Sequence, residues 1–381
     1  MLGRPERHFA SVHVGGTNGK GSTCAFVAAE LEARGLRVGL YTSPHLVSVC
    51  ERITLNGAPI TEDAFAQWAA FLLPHIERVD ASFFEATTAI AFADLAARGA
   101  DIGVVEVGLG GRLDATNVVT PLVSVVTKIA LEHTDYLGNT LESIAREKAG
   151  IAKRGVPFVT GESDPQIRGV LQTEAERLGA KPIVPVDTNR PAPGARLGLV
   201  GSHQVANAWV ALAALNQLPP PFGPCGDGFP KSFGGAYVPG RFDVRGRWIF
   251  DVAHNPDGAL VLVNTLRETA PPRPLHAVVG IRKDKDWQGM LDALAPEVDR
   301  LILTVAPSLP SHHRLSWTDI APWAARQDRE RRGSTADTFF EPDFGRALHL
   351  AEDGSGTVIV TGSFHTVGDA LARFLGFAPV L

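Results

Sequence analysis

Residues Gly15–Ser22 read Gly-Gly-Thr-Asn-Gly-Lys-Gly-Ser, set between the apolar run Ser11–Val14 and a helical stretch, Thr23–Arg34, that stops at Gly35. A strand that turns through glycines into a helix opening with Lys and Ser constrains the fold more than any other feature. It is how a parallel α/β sheet holds a polyphosphate at a strand's carboxyl end. Glycines let backbone N–H groups approach phosphate oxygens, the Lys20 ammonium neutralises them, and a hydroxyl can face Mg²⁺. The octapeptide predicts that the chain binds ATP or GTP. Its spacing departs from G-x-x-x-x-G-K-[ST], which needs a glycine where this chain has Val14 and a hydroxyl directly after Lys20. A glycine turn with a chance lysine is the alternative.

The rest of the first half agrees with such a sheet. Apolar runs at Arg37–Tyr41, Ile102–Val107, Leu122–Thr127 and Val156–Thr160 alternate with helical stretches that include Glu85–Arg98 and Leu141–Lys153. That alternation predicts a mostly parallel sheet covered on both faces. Between Leu218 and Gly240, Pro and Gly become too dense for a helix or a central strand, so a domain junction is expected there. A second α/β series follows, with strands at Trp248–Val252, Leu275–Gly280, Arg300–Val305 and Thr357–Thr361 and helices at Pro256–Arg267 and Thr366–Phe374. The expectation is a P-loop-type domain over 1–236 and a smaller Rossmann-like α/β domain over 237–381. At 381 residues the chain is longer than one core usually serves.

Composition excludes several classes of function. A net charge of −5 argues against nucleic acid or an anionic membrane as the partner. The three cysteines, Cys24, Cys50 and Cys225, form no C-x-x-C pair, so neither a disulfide framework nor a thiolate zinc site is expected. The opening Met1–Phe9 is polar, without the apolar core of a secretory signal, and no stretch approaches a membrane span. A cytoplasmic monomer is expected.

Polar residues at the ends of apolar runs are the candidates for chemistry. Glu106 sits in Val104-Val105-Glu106-Val107-Gly108, where an unpaired carboxylate would be costly. It either binds Mg²⁺ beside the phosphates, caps a helix, or pairs with an arginine such as Arg112. Gly108–Asn117 reads as a loop whose backbone approaches a ligand. His133, in Leu131–Gly138, is a metal ligand or an ordinary histidine. Basic residues in Arg146–Lys153 suit a helix C-terminus. Asp251–Pro256 is either a site at a strand's end or a capped strand-to-helix turn.

Together these segments resemble the folylpolyglutamate synthase and dihydrofolate synthase family, relatives of the Mur peptide ligases. The resemblance rests on Gly-Thr-Asn-Gly-Lys-Gly-Ser at 16–22, Thr-Ser-Pro-His-Leu at 42–46, Glu-Arg-Ile at 51–53 and Phe-Phe-Glu-Ala-Thr at 83–87. It continues through Glu106–Asn117, Glu132–Gly138, Glu147–Ile151, Pro239–Phe242, Asp251–Pro256 and Gly362–Val367, nearly end to end and in order. It implies that Thr17, Asn18, Gly19, Lys20, Gly21 and Ser22 form the ATP phosphate loop. It implies that Ser43, Glu106 and His133 bind magnesium, and that Lys148 is a carbamate helping to hold a second Mg²⁺. Asn207 would contact adenine, and Arg241, Asp251 and His254 would contact the nucleotide from the second domain. Ser82, Phe83, Phe84, Glu85, Leu113, Asp114 and Ala115 would line the pterin side of the acceptor. Lys20, Lys148, His133 and Arg241 would be the catalytic set, with Ser363 and His365 candidates for the glutamate side.

The implied reaction is ATP-dependent amide formation. An acceptor carboxylate takes the γ-phosphoryl group, and L-glutamate displaces phosphate from the acyl phosphate. Gly-Leu-Gly-Gly-Arg-Leu-Asp-Ala-Thr-Asn at 108–117 is closest to bifunctional members, which use dihydropteroate as well as reduced folates. The alternatives are a monofunctional folylpolyglutamate synthase, another Mur-type ligase, or a P-loop module without ligase chemistry. Three departures stand out: the start at Met1-Leu2-Gly3-Arg4-Pro5, where relatives carry a longer N-terminal helical segment, Glu132 where aspartate is commoner, and an irregular 218–238 segment.

Overall fold

The computed structural model describes residues 2–194, 196–330 and 337–373. The chain divides into two compact units, one ending at Tyr237 and the other beginning at Val238.

In the first unit the strands are β1 (Ala10–Gly15), β2 (Val38–Tyr41), β3 (Ile53–Leu55), β4 (Ala58–Pro59), β5 (Ile102–Glu106), β6 (Val123–Val126), β7 (Phe158–Thr160) and β8 (Ile183–Pro185). They form one sheet in the order β4-β3-β2-β5-β1-β6-β7-β8. All neighbours from β2 through β8 pair in parallel, and β3 and β4 add an antiparallel hairpin at one edge. Strands β1, β5 and β6 are buried on both faces, which is why they read as continuous apolar runs. After β1 the chain turns toward β2, and after β6 toward β7. The carboxyl ends of β1 and β6 therefore flank the point where strand order reverses, where open α/β sheets bind ligands.

The helices of this unit are α1 (Lys20–Ala33), α2 (Glu62–Val79), α3 (Phe83–Ala97), α4 (Thr134–Leu137), α5 (Leu141–Ala149), α6 (Pro165–Arg177) and α7 (Ser202–Leu215). The helix expected to reach Lys153 stops at Ala149. Gly150 follows, and a Cβ there would overlap the Arg112 side chain, so backbone and loop meet more closely than any other residue permits.

The Pro/Gly-rich stretch is not a free linker. Its short helical turn Lys231–Gly235 packs on α1, and Phe233, fully buried, lies 4.9 Å from Phe26 and 5.8 Å from Phe229, ring centre to ring centre. Ser232 Oγ donates to Glu30 at 2.6 Å, and Arg34 donates to the Pro224 carbonyl at 3.0 Å. Most of the expected junction is therefore part of the first unit's own packing.

The second unit has the sheet β13-β12-β11-β14-β10-β9. Its strands are β9 (Asp243–Arg245), β10 (Trp248–Phe250), β11 (Leu275–Val279), β12 (Arg300–Leu303), β13 (Asp337–Phe340) and β14 (Thr357–Thr361). Among the described residues of this sheet, only the β9–β10 pair is antiparallel. The helices are α8 (Pro256–Thr269), α9 (Trp287–Leu294), α10 (Trp317–Glu330), α11 (Phe344–Glu352) and α12 (Phe364–Arg373). Phe374, the expected end of the last helix, lies outside the described residues. Among those residues, no helix is long and apolar enough to cross a membrane.

One buried histidine ties β1 to the Gly108–Asn117 loop. Thr116 Oγ1 donates to Asp114 Oδ1, so its oxygen accepts from His13 Nε2 at 2.8 Å. That fixes the neutral Nε2–H tautomer and leaves Nδ1 buried without a partner among the described residues. Burial, and secondarily the Lys153 ammonium, push the His13 pKa down to about 3. An unfolded chain takes up this proton near pH 6.5, the native protein only near 3, so stability falls as pH drops through that window. Between pH 7 and pH 5, wild type should lose about 2 kcal/mol more than His13→Gln in urea unfolding. Equal losses in the two proteins would mean that His13 is charged in the native state.

Candidate active site

The Gly15–Ser22 loop is held from within by its carbonyl oxygens. Gly15 O accepts from Thr127 N at 2.9 Å and Gly16 O from Lys148 Nζ at 2.8 Å. Thr17 O accepts from Lys20 Nζ at 2.9 Å, Asn18 O from Thr127 Oγ1 at 2.8 Å, and Gly19 O from Thr23 N at 2.9 Å. In a trans peptide the carbonyl and the following N–H point in opposite directions, so this inward grip turns the N–H groups of Gly19 and Lys20 the other way.

Gly16 and Gly19 have φ of 132° and 90°, backbone that other residues adopt only under strain. A Cβ at Gly16 would overlap Thr127 Oγ1, and one at Gly19 would overlap the Asn207 amide, which α7 brings beside the loop. Gly19 caps α1 without a side-chain hydrogen bond, leaving the first turn and the positive end of its dipole for an anion. These features fit a nucleotide phosphate.

Glu106 ends β5 and is only 4% exposed. Its Oε2 accepts from Ser43 N at 3.3 Å and lies 3.7 Å from the place a Cβ on Gly21 would occupy. The alternative partner, Arg112, is engaged elsewhere, in a two-pronged ion pair with Glu147 at 2.9–3.2 Å. A carboxylate and the Ser43 hydroxyl are hard oxygen donors of the kind Mg²⁺ takes beside phosphates. They fit that ion. His133 is exposed and stands at the N-cap of α4 in the left-handed region, with φ of 48°.

Lys148 is 2% exposed, with its Nζ 2.9 Å from Glu132 Oε1 and 2.8 Å from Gly16 O of the loop. Burial brings its pKa down to about 8 against the pull of Glu132, with the nearby Lys20 charge acting in the same direction as burial. For Glu132, burial alone would raise the pKa, but Lys20 and Lys148 outweigh it and hold the carboxyl at about 2. The residue that departs from the resemblance is thus the one that pairs with Lys148.

The expected acceptor residues divide by environment. Phe83 is 59% exposed with the Arg52 guanidinium 5.3 Å from its ring centre, and Leu113 is 80% exposed. Phe84 instead packs inward, 6.1 Å from the Tyr41 ring and against Gly108. Ser82 and Glu85 form a capping box at the start of α3, and Ala115 begins the helical turn Ala115–Val118. Asp114 accepts from Gly108 N at 3.1 Å, Leu109 N at 2.8 Å, Thr116 N at 2.9 Å and Thr116 Oγ1. Its carboxylate shapes the glycine loop.

In the second unit the Asp251–Pro256 segment takes the capped-turn form. Asp251 accepts from Phe242 N and Ala253 N, each at 2.9 Å, and Asn255 caps α8 through Gly258 N. Burial raises the Asp251 pKa against the opposing Arg241 charge. Arg241 lies 5.6 Å from the Phe364 ring centre, and His254 Nδ1 is 2.9 Å from Val252 O. Ser363 is 3% exposed and caps α12 through Thr366 N, which makes it a structural residue, whereas His365 Nδ1 meets Ser308 Oγ at 2.9 Å.

The Mur ligase middle domain matches residues 14–192, and the glutamate ligase domain of Mur ligases matches 240–364. Bacillus subtilis dihydrofolate synthase/folylpolyglutamate synthase is 32% identical over 98% of this chain and 92% of its own length. The chain belongs to this family of Mur-type ligases. The folylpolyglutamate synthase of Mycobacterium tuberculosis, solved with ADP, superposes with a TM-score of 0.85 at 32% identity, over 99% of this chain and 92% of that one. The bifunctional folylpolyglutamate synthase/dihydrofolate synthase of Yersinia pestis, solved with AMPPNP and Mn ion, gives 0.80 at 35% identity over 97% and 90%.

Sequence reasoning missed Thr127 and Glu162 in this Mur-type ligase. Thr127 closes an apolar run already read as a strand, and Glu162 follows another by two residues. A polar residue at the end of a buried strand was the signal available for both. Gly16→Ala should weaken ADP binding at least tenfold by calorimetry, because its Cβ has no room. Gly169→Ala, on α6 with open space around it and no left-handed backbone, should leave binding unchanged. Equal affinities in the two variants would deny that the loop backbone holds the nucleotide.

Proposed function

We propose that this ligase joins L-glutamate to dihydropteroate and to reduced folates, with ATP consumed as substrate. The observation that carries the reading is the inward-tied glycine loop with the Glu106 carboxylate and Ser43 beside the start of α1. The acceptor carboxylate oxygen attacks the γ-phosphorus, and the bond to the ADP oxygen breaks. The glutamate nitrogen then attacks the acyl carbon, phosphate leaves, and the amine gives up a proton. Loop N–H groups of Gly19–Ser22 and the Lys20 ammonium hold the phosphates and take up developing charge, while the Thr17 N–H ties the loop to Lys128 O. Ser43, Glu106, His133 and, as a carbamate, Lys148 are the residues we assign to two Mg²⁺ ions, which when bound would neutralise phosphate charge.

On the acceptor side, Phe83, 59% exposed, offers an aromatic ring suited to a pteridine, and Leu113 offers an exposed apolar side chain. Asp114, Gly108 and Leu109 give that side its backbone shape. Ser82, Phe84, Glu85 and Ala115 support it. Asn207 is assigned to adenine, and in the second unit Arg241, Asp251 and His254 are assigned to the nucleotide on the resemblance. Three free cysteines and an acidic net charge support a cytoplasmic protein, which we take to be a monomer.

Purified protein should release ADP only when glutamate is supplied with dihydropteroate or with a reduced folate. Release with the folate alone would leave a monofunctional synthase, and none with either, in protein that binds ADP, would overturn the ligase reading. Lys148→Ala should lose at least 100-fold in turnover, and added short carboxylates should restore part of it if Lys148 acts as a carbamate. Loss without rescue would instead assign Lys148 its ammonium role, gripping Gly16 O and Glu132.

A further inference from the structure

The segment 127–130, which follows β6, lies along the nucleotide loop and is bonded to it repeatedly. Thr127 N donates to Gly15 O at 2.9 Å, and Thr17 N donates to Lys128 O at 2.8 Å. Thr17 Oγ1 donates to Ala130 O at 3.2 Å, and Asn18 and Lys128 form an antiparallel bridge. Thr127, 1% exposed, supplies the side-chain hydroxyl that the segment gives to the loop, shared between Asn18 O at 2.8 Å and Gly15 O at 3.2 Å. Behind the segment lies Glu162, 3% exposed and outside the proposed chemistry. Its Oε2 accepts from Ile129 N at 2.8 Å and its Oε1 from Asp164 N at 2.8 Å.

We propose that Thr127 is a positioning residue for the nucleotide, acting through the Asn18 carbonyl, and that Glu162 holds the backing segment in register through Ile129. The argument rests on direction. The peptide joining Asn18 to Gly19 can turn its N–H toward a phosphate only while its carbonyl has a donor on the opposite side. Thr127 is that donor, and Gly16 lacks a Cβ at the very place the hydroxyl occupies. The hydroxyl and the glycine are therefore two halves of one fit. Glu162 acts one layer further back: without it, Ile129 N would be a buried donor with nothing to bond, and the segment could shift.

This proposal rests on the nucleotide-loop assignment but not on the identity of the acceptor. Thr127→Val keeps the branched shape and removes the hydroxyl, while Thr127→Ser keeps the hydroxyl and removes the methyl. Calorimetric titration with ADP, together with ATP kinetics at saturating glutamate and acceptor, separates the two contributions. Thr127→Val should raise the ADP Kd and the KM for ATP about tenfold, with the acceptor KM unchanged. Thr127→Ser should stay within about twofold of wild type. Glu162→Gln, which turns an amide donor toward one of the two backbone N–H groups, should move the same constants in the same direction. Unchanged ADP affinity in Thr127→Val, or equal losses in the Val and Ser variants, would overturn the proposal. If Thr127→Val does not fold, loss of ADP affinity in Glu162→Gln decides for the proposal and wild-type affinity decides against it. Failure of the ligase reading would appear differently, as normal ADP binding in wild type without glutamate-dependent turnover.

Discussion

A loop that offers backbone donors to an anion must be tied to the protein by its other face, and the first unit is arranged around that requirement. Glycine supplies the turn, yet glycine alone would leave the segment with many conformations and a large entropy to lose on binding. Donors from three separate elements, Thr127 after β6, Lys148 on α5 and Thr23 on α1, remove that freedom before a ligand arrives. The parallel sheet brings them together because β1 and β6 are neighbours whose carboxyl ends share one edge.

The electrostatics follow from the same enclosure. The Lys20 charge bears on both Lys148 and Glu132 beside the loop, and the Lys148–Glu132 pair is almost wholly removed from solvent. A buried pair of this kind contributes little net stability, but removing one partner strands the other at a cost of about 3–5 kcal/mol. Its value is to fix the position of a charge. Glu132, one residue before His133, and Lys148, three residues before Ile151, reach the loop from segments with no regular structure in common.

Much of the first unit could be read from its residues, for stated reasons. β1, β5 and β6 are buried on both faces and so appear as unbroken apolar runs. The β3–β4 hairpin, β8, β9 and β13 were not read, because short edge strands with mixed exposure carry neither a long apolar run nor a clean alternation. The glycine loop was equally plain, whereas its supports were not. Thr127 and Asn18 are separated by 109 residues, Lys148 and Gly16 by 132, and no local pattern announces such bonds. Asp114 shows a related gap: the resemblance placed it on the acceptor side, and only its four donors reveal that it also shapes the loop.

The Pro/Gly-rich stretch has a practical implication for how this protein can be divided. Its composition suggests a cut near Leu218, yet Phe229 and Phe233 are layered on Trp209 and Phe26, and Ser232 grips Glu30 of α1. The helix so covered is the one whose first turn opens onto the glycine loop. Trimming the chain at the apparent boundary would expose the apolar back of that helix to water, far in sequence from the residues it would disturb. A fragment meant to preserve the glycine loop has to run to Tyr237, where the packing of the first unit ends.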